Sequence, residues 1–437
     1  MNTVKLRNFM GFVVLFMAAL SPSLYLLKPI TSLFWNFQLI EWIQLILVLL
    51  ISSRFIKVPT LSWILVAYLV SRFLLFQTTP IFEDDYFRYL WDGQLLTKGF
   101  NPYLLSPADD FWQKAGALIS SEWRQHINFP DIRTIYPPMS LLYFSIVYKI
   151  FGESVLGLRI FAVILEVFMM IILLKLIKKE KWNLKPLCIF LFFPTLMKEN
   201  INSVHFDLLA TVFLMTSWLY FKNNFLSWMT LAGAVLVKIF PLILVPLYFK
   251  ESKSKISSVF VFSSCIILAY LPFYSAGALL FQGAGAFAKN WIFFESSAYY
   301  LNWIFELMGI AQAQFLTRLS LGLLMLIGGL IIGFTDRIKL QNKVVVLFLM
   351  LYLLSPVLNS WYWLWSLPFL ILYAPRWTWI FPVFTALGYS WFENETLYTK
   401  LHFPIYGFFL IAAIIFILKN DRDDSLRWKN ESPIGIF

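Results

Sequence analysis

Three consecutive carboxylates, Glu83, Asp84 and Asp85, follow an apolar segment and stand near the start of a long polar stretch, residues 78–135. Carboxylates this close repel one another, so the pKa of at least one rises unless a cation or a substrate compensates for the charge. Arg88 lies within one helical turn of both aspartates and could orient one of them. The arrangement predicts that Asp84 or Asp85 acts as a general base. The competing interpretation is a solvated loop in which one aspartate caps a helix and pairs with Arg88.

A second polar cluster lies in a short segment between two apolar stretches. Its members are Lys198, Glu199, Asn200, Asn202, His205 and Asp207. Ionisable side chains in an apolar neighbourhood are costly, which favours a functional role over a hydrated connector. His205 and Asp207 could ligate a metal ion, but their spacing matches no metal-ligand motif, and we predict no metal site.

The composition sets the environment of these residues. Of the 437 residues, 60% are hydrophobic and 14% are charged, whereas soluble domains have about 45–50% and about 25%. Too few polar side chains remain to cover so much apolar surface, so lipid must be the solvent for most of the chain. The predicted fold class is an all-α polytopic membrane protein.

The distribution of charge predicts the orientation. The formal net charge is +11, and Lys and Arg concentrate in short connectors between apolar runs, as is typical of cytoplasmic loops. We therefore place the N-terminus and the basic connectors in the cytoplasm and the acidic loop 78–135 on the opposite face. No basic helix carries interleaved aromatic residues and no Gly-rich phosphate loop occurs, which argues against nucleic acid and nucleotides as partners.

Apolar runs long enough to cross a membrane occur throughout the chain. The clear runs are 9–27, 36–52, 59–76, 155–177, 205–222, 256–274, 316–335 and 403–419, and shorter ones that should extend into their flanks are 186–197, 343–357, 360–373 and 377–392. The run 137–151 starts with two prolines, and we interpret it as a half-buried helix that does not cross. We predict one membrane domain over residues 1–419 with about 12–13 transmembrane helices, followed by a polar, disordered cytoplasmic tail, 420–437.

Two features within these runs could contact a substrate. Lys238 and Pro241 interrupt the run 226–249, which predicts two half-helices around a cavity. There Lys238 could meet a phosphate as a point charge, unless it only extends its amine to the interface. Trp361 and Tyr362 could pack against a sugar or an isoprenoid chain, unless they only form part of an interfacial aromatic belt.

Five motifs occur in order over roughly residues 80–370: EDDYFRYLWDG…GFNPY, IYPPMSLLYF, FPTLMKENINSVHFDLLA, VKIFPLILVPL and SPVLNSWYWLW. Together they resemble the GT-C membrane glycosyltransferases, and in particular the bacterial polyprenol-phosphate-mannose-dependent α-mannosyltransferases. The resemblance implies a GT-C-like bundle with a large first extracytoplasmic loop that carries short helices. It also implies a monomer in the bacterial plasma (inner) membrane with an extracytoplasmic active site.

The resemblance further implies a reaction and a set of site residues. A hexose, mannose by resemblance, would pass with inversion from a polyprenyl-phosphate-linked donor to a glycolipid or glycan acceptor. The catalytic base falls on Asp84 or Asp85, and the choice stays open because related sequences carry a small residue where this chain has Glu83. The substrate-binding residues would be Arg88, Tyr136, Lys198, Glu199, Asn202, His205, Asp207, Lys238, Trp361 and Tyr362.

Two alternatives remain at this stage. A divalent cation could bind at Glu83, Asp84 and Asp85, but we favour a reaction without a cofactor. The alternative function is a transporter or flippase of lipid-linked glycans, since transporters also contain broken helices with ionisable residues. Against it, the acidic residues crowd into one outer loop and no internal repeat is visible.

Overall fold

The structure, a computed structural model, describes residues 3–29, 32–112, 123–295 and 297–401, together with residues 407, 411 and 427–429. Throughout this part of the chain the regular elements are helices, with isolated β-bridges and no strand. The all-α prediction is confirmed.

Seventeen α-helices are named along the described chain. They are α1 (Thr3–Leu20), α2 (Leu33–Ser52), α3 (Leu61–Phe76), α4 (Tyr86–Thr97), α5 (Pro138–Phe151), α6 (Val155–Glu180), α7 (Lys185–Leu191), α8 (Asp207–Leu219), α9 (Asn224–Val237), α10 (Val245–Glu251), α11 (Lys255–Tyr270), α12 (Gln282–Asn290), α13 (Ser297–Leu307), α14 (Ala313–Phe334), α15 (Leu340–Leu354), α16 (Leu367–Tyr373) and α17 (Ile380–Thr385). Turns of 3₁₀-helix cover Ser21–Leu26, Trp123–His126, Phe240–Leu244, Leu271–Phe281, Ser360–Trp365, Arg376–Trp379 and Ala386–Phe392, and a π-helix covers Leu196–Asn202.

The chain divides into two compact units. The first unit comprises Met1–Thr79, Glu166–Asn202 and Phe293–Phe437, and the second comprises Pro80–Leu165 and Ser203–Ile292. In the first unit α1 packs against α2 and α3, and α14 packs against α13 and α15; in the second, α4 packs against α5, and α9 packs against α8 and α11.

Five helical stretches are long and apolar enough to cross a membrane: Lys5–Leu26, Leu33–Ser52, Val155–Glu180, Lys255–Asn290 and Ala313–Phe334. Five further apolar helices, α3, α5, α8, α9 and α15, are shorter. Leucine and isoleucine side chains on α14 are exposed, among them Leu326 at 60% and Ile331 at 63%, which suits contact with lipid. The polytopic prediction is confirmed, while the predicted span 403–419 lies almost wholly outside the described residues.

The predicted interruption near Lys238 is present. Helix α9 ends at Val237 because Lys238 is extended, with φ −148° and ψ 145°. A 3₁₀ turn then begins at Phe240 with Pro241 in its first positions, where proline's missing N–H removes no intrahelical hydrogen bond.

The apolar runs 360–373 and 377–392 are more fragmented than predicted. The first consists of a 3₁₀ turn and the seven-residue α16, which ends where Ala374 becomes extended before Pro375. A residue that precedes proline is pushed out of the helical region. The second run alternates between 3₁₀ and α geometry, with α17 only six residues long.

The tail 420–437 was predicted to be disordered, but residues 427–429 are packed against other parts of the chain. Trp428 is fully buried, and its indole N–H donates to the Ile371 carbonyl at 3.2 Å. Arg427 donates to the Ala374 carbonyl at 2.6 Å. The Trp428 indole is removed from solvent by this packing, which holds residues 427–429 against the rest of the first unit.

The site helix α4 is held close to α5 by a glycine. A Cβ at Gly93 would lie 2.4 Å from the Phe144 carbonyl oxygen. Only glycine permits such a close approach of two helices, so Gly93 fixes the position of α4 within the second unit.

A buried ion pair joins helices of the first unit. The Arg72 guanidinium donates to both carboxylate oxygens of Glu166, at 2.7 and 3.0 Å. Tyr68 and Asn200 donate to the same carboxylate, and Arg72 also donates to the Leu191 carbonyl. Two charges that are almost fully buried are tolerated because each is paired and hydrogen-bonded.

Removing one partner should therefore destabilise the protein more than removing both. We expect Glu166→Gln or Arg72→Met to lower stability by about 3–5 kcal/mol, because each strands a buried charge. The double variant Arg72→Met/Glu166→Leu should lose less. Thermal inactivation midpoints in detergent measure the effect, and Lys179→Gln, an exposed change on α6, is the control. Single variants as stable as this control would contradict the prediction.

Candidate functional site

The segment that carries the predicted base has a strained backbone. Phe82 has φ +66°, a left-handed conformation that residues other than glycine seldom adopt. The chain then enters α4, and the Asp85 carbonyl accepts the Arg88 and Tyr89 N–H groups. Such strain of about 1–3 kcal/mol persists only where surrounding contacts fix the chain, and it is common at functional sites.

Asp85 is half-buried in the second unit. The Tyr89 hydroxyl donates to Asp85 Oδ2 at 3.3 Å, one turn along α4. The pKa of Asp85 is raised to about 6: burial is the largest cause, Lys238 opposes the rise, and Asp84 and Asp207 contribute to it. A carboxyl group with such a pKa can change its protonation state near neutral pH, as a general base must.

Asp84 has different neighbours. Its Oδ1 accepts a hydrogen bond from the Asn128 amide at 2.5 Å. Burial raises the pKa of Asp84, while Asn128 and the nearby His126 lower it. Both aspartates are half-buried, and they differ in their partners: Asn128 donates to Asp84, whereas Tyr89 donates to Asp85.

The second predicted cluster meets the first at its C-terminal end. The π-helix ends at Asn202, and Val204, a β-branched residue, has φ +56°. His205 follows, and its Nδ1 lies 2.9 Å from the Tyr89 hydroxyl. π-helical turns and left-handed β-branched residues are both rare and are both common at functional sites, so this segment is a candidate functional segment.

Asp207 and Lys238 form an ion pair in which the aspartate is fully buried and the lysine side chain is 18% exposed. Lys238 Nζ lies 2.8 Å from Asp207 Oδ1 and 3.0 Å from Oδ2. The ammonium also lies 4.9 Å from the centre of the Phe206 ring, within range of a cation–π contact. The carboxylate occupies the first turn of α8, where the helix dipole favours negative charge.

The sequence suggested that Arg88 pairs with Asp84 or Asp85, but in the structure it has other partners. Its Nε donates to Asp92 Oδ1 at 3.0 Å, and its Nη1 donates to the Ile132 carbonyl at 2.9 Å. Asp92, the partner of Arg88, lies one turn further along α4. Asp92 is fully buried and accepts a hydrogen bond from Thr134 as well.

Tyr136 lies in the same part of the second unit. Its ring contacts the rings of Tyr89 and Phe206, with centroids 5.6 and 5.4 Å apart. Its carbonyl accepts a hydrogen bond from the Tyr103 hydroxyl at 2.8 Å. The second unit thus brings together seven predicted site residues: Asp84, Asp85, Arg88, Tyr136, His205, Asp207 and Lys238.

The remaining predicted residues belong to the first unit. Lys198 and Glu199 form an ion pair, 3.6 Å apart, in which both side chains are fully buried. Tyr389 donates to Glu199, and the Lys198 ammonium lies over the Tyr389 ring. Asn202 donates to Thr78 Oγ1 at 2.8 Å. A substrate could reach Lys198 only if this cluster opened.

Trp361 and Tyr362 also differ from simple belt residues. Trp361 is 8% exposed. The Tyr362 ring stacks on Trp365 with centroids 4.1 Å apart, and the Tyr362 carbonyl accepts from Tyr352. Both residues are therefore packed within the first unit.

Sequence reasoning missed several residues of these clusters. Tyr89 follows Asp85 by four positions, and Asp92 follows Arg88 by four, so helical spacing could have indicated both contacts. Glu41 lies inside a transmembrane run and accepts a hydrogen bond from Tyr25 at 3.0 Å. A charged residue within an apolar run is itself a signal.

The described residues contain no group of three or more His, Cys, Asp or Glu side chains arranged to hold a metal ion. The predicted metal independence remains a prediction.

The second unit therefore combines a carboxylate of raised pKa, a lysine–aspartate pair and a tyrosine–histidine contact, which together suit general-base chemistry on a polar substrate. Searches for similar curated proteins and for similar solved structures gave no match. A family model described as alpha-(1->6)-mannopyranosyltransferase, N-terminal domain, matches residues 30–250. That match covers just over half of the 437 residues and includes Asp85, His205, Asp207 and Lys238. The chain belongs to this MptA_B family of mannosyltransferases.

Proposed function

We propose that this protein transfers mannose, with inversion, from a polyprenyl-phosphate-linked donor to an extracytoplasmic glycolipid or glycan acceptor. Membership of the mannosyltransferase family supports the sugar transfer. The apolar helices support a donor that is itself dissolved in the membrane. The observation that carries the proposal is the setting of Asp85, which accepts a hydrogen bond from Tyr89 and whose pKa responds to the charges of Lys238 and Asp207.

In the proposed reaction Asp85 removes the proton from an acceptor hydroxyl. The acceptor oxygen attacks the anomeric carbon and forms the new glycosidic bond. The bond from that carbon to the phosphate oxygen breaks, and its electron pair leaves with the polyprenyl phosphate. Because the phosphate is already a good leaving group, the reaction requires no nucleotide.

Lys238 and Arg88 are the cations that we assign to the leaving phosphate. A fixed cation beside a group that gains negative charge stabilises the transition state electrostatically. Asp207 holds the Lys238 ammonium in place at 2.8 Å, and Asp92 holds the Arg88 guanidinium at 3.0 Å. Both cations are therefore oriented before the substrate arrives.

We assign the base to Asp85 rather than Asp84. Asp85 contacts Tyr89, and its pKa is affected by Lys238 and Asp207. Asp84 instead accepts a hydrogen bond from Asn128 in the loop. In this assignment Asp84 contributes only its charge.

The first test is mannosyl transfer by purified variants with a polyprenyl-phosphate mannose donor. Asp85→Asn should lower kcat about 100- to 10,000-fold, the range that general-base catalysis supplies. Asp84→Asn should retain transfer, and Asp131→Asn, an exposed change in the same loop, is the control. The new linkage should have the opposite anomeric configuration to the donor.

Full activity of Asp85→Asn would refute the assignment, and loss confined to Asp84→Asn would move the base to Asp84. Movement of a lipid-linked glycan across liposome membranes, with no lengthening of any glycan, would support the transporter alternative instead.

The pH profile provides a second test. Only the ionised carboxylate accepts a proton, so kcat/KM should rise with pH through the Asp85 pKa of about 6. Lys238→Met removes a cation that lowers this pKa, so the acid limb should move to higher pH. Asp207→Asn and Asp84→Asn each remove an anion that raises it, so their limbs should move to lower pH. Profiles unchanged in all three variants would exclude Asp85 as the titrating base.

The orientation can be tested with single cysteines after Cys188 and Cys265 are replaced. A cysteine at Gln125, in the acidic loop, should react with an impermeant maleimide from outside intact cells. Cysteines at Lys179 and Lys253, in basic connectors, should react only after permeabilisation. All three native side chains are exposed, so accessibility does not limit labelling. Labelling of Gln125 and Lys253 from the same side would contradict the proposed topology.

A further inference from the structure

Tyr89 links two site residues that are far apart in sequence. Its hydroxyl lies 3.3 Å from Asp85 Oδ2 and 2.9 Å from His205 Nδ1, across 116 positions of chain in the second case. Its side chain is buried, with 1% of its surface exposed. No water is needed to join these groups, because both distances are direct.

The tyrosine ring cannot move far. It stacks on Phe144 with the rings 8° from parallel, and it meets Phe206 and Tyr136 edge to face. Burial raises the pKa of Tyr89 well above its usual value, so the phenol keeps its proton. The hydroxyl is therefore a fixed group with one hydrogen to donate and lone pairs to accept with.

Proton counting fixes the direction of both hydrogen bonds. An ionised Asp85 can only accept, so the single Tyr89 hydrogen points to Asp85 Oδ2. The contact with His205 must then run the other way, with His205 Nδ1–H donating to the tyrosine oxygen. A neutral His205 in this state has its proton on Nδ1 and its lone pair on Nε2.

Protonation of Asp85 allows the opposite order. The Asp85 O–H can donate to the Tyr89 oxygen, which frees the tyrosine hydrogen to point to His205 Nδ1. His205 then carries its proton on Nε2. The two arrangements differ by one proton, the one that Asp85 receives.

We propose that Tyr89 is a positioning residue that orients the Asp85 carboxylate and couples its protonation state to the tautomer of His205. The catalytic consequence of this coupling rests on the function proposed above, but the coupling itself does not. When Asp85 takes a proton, His205 changes from an acceptor at Nε2 to a donor at Nε2. The buried Nε2 atom of His205 thus changes its hydrogen-bonding role each time Asp85 gains or loses a proton.

Several other charged groups act on Asp85 and Tyr89. Lys238, Asp84 and Asp207 act on Asp85 from α9, the loop and α8. Asp207 and Glu83 also act on Tyr89. None of these is removed by a tyrosine-to-phenylalanine change, which deletes only the linking hydroxyl.

The experiment is ¹⁵N NMR of purified protein labelled at histidine, of which the chain has three. His205→Gln identifies the signals of His205. Wild-type protein above the Asp85 pKa should show His205 protonated at Nδ1, and lowering the pH or introducing Asp85→Asn should shift it toward the Nε2 tautomer. Tyr89→Phe should abolish this response to Asp85.

Tyr143→Phe is the matched control. Tyr143 is also buried, and its ring contacts Phe144 and Phe206 of the same aromatic cluster. The Tyr143→Phe variant loses a phenolic hydroxyl that contacts neither Asp85 nor His205. Its ¹⁵N spectrum and pH profile should therefore match those of the wild type.

Activity provides a second, separate readout. Tyr89→Phe should move the acid limb of kcat/KM up by about one pH unit, because a hydrogen bond to the ionised carboxylate is lost. It should also lower kcat about tenfold while the KM for the donor changes little.

A His205 spectrum that follows Asp85 equally well in Tyr89→Phe would overturn the proposal. If Asp85→Asn retains transfer but still switches the His205 tautomer, the coupling stands and only the proposed base fails.

Discussion

The Asp207–Lys238 ion pair is the interaction on which the polar centre of the second unit depends. Lys238 lies where α9 stops, and Asp207 lies in the first turn of α8, so the pair joins two helix ends. Either charge alone would be strongly unfavourable in apolar surroundings, which makes the two positions interdependent. At Asp85 the two charges act in opposite directions, so the pair adjusts the acidity of that carboxyl without supplying a large net field.

Both segments that approach this pair are strained. Phe82 and Val204 adopt left-handed backbone conformations just before Asp85 and His205. Such conformations change the direction of the chain within one residue, and the Tyr89–His205 contact helps to hold the two segments together. Residues that precede a site can thus determine its geometry without contacting a substrate.

The first unit shows the same physical constraint in another form. Arg72–Glu166 and Lys198–Glu199 are almost fully buried ion pairs, and Tyr25 donates to Glu41 within α2. In each case a buried ionisable group is tolerated because a partner is hydrogen-bonded or ion-paired to it. These contacts give the N-terminal helices, which sequence motifs left without a role, a structural function in the first unit.

Local sequence patterns were sufficient to predict the class of protein, the helical break at Lys238 and the two segments that carry the candidate site. These properties follow from sums over short windows, such as hydropathy, and from local rules, such as the effect of Pro241 on a helix. The pairing of the charges, in contrast, depends on how the helices pack. Arg88 pairs with Asp92 rather than Asp85, and Tyr89 contacts His205. Both contacts follow from the direction of the side chains on α4 and from the packing of α4 on α5 at Gly93. Those choices depend on contacts between residues far apart in sequence, which no local pattern specifies.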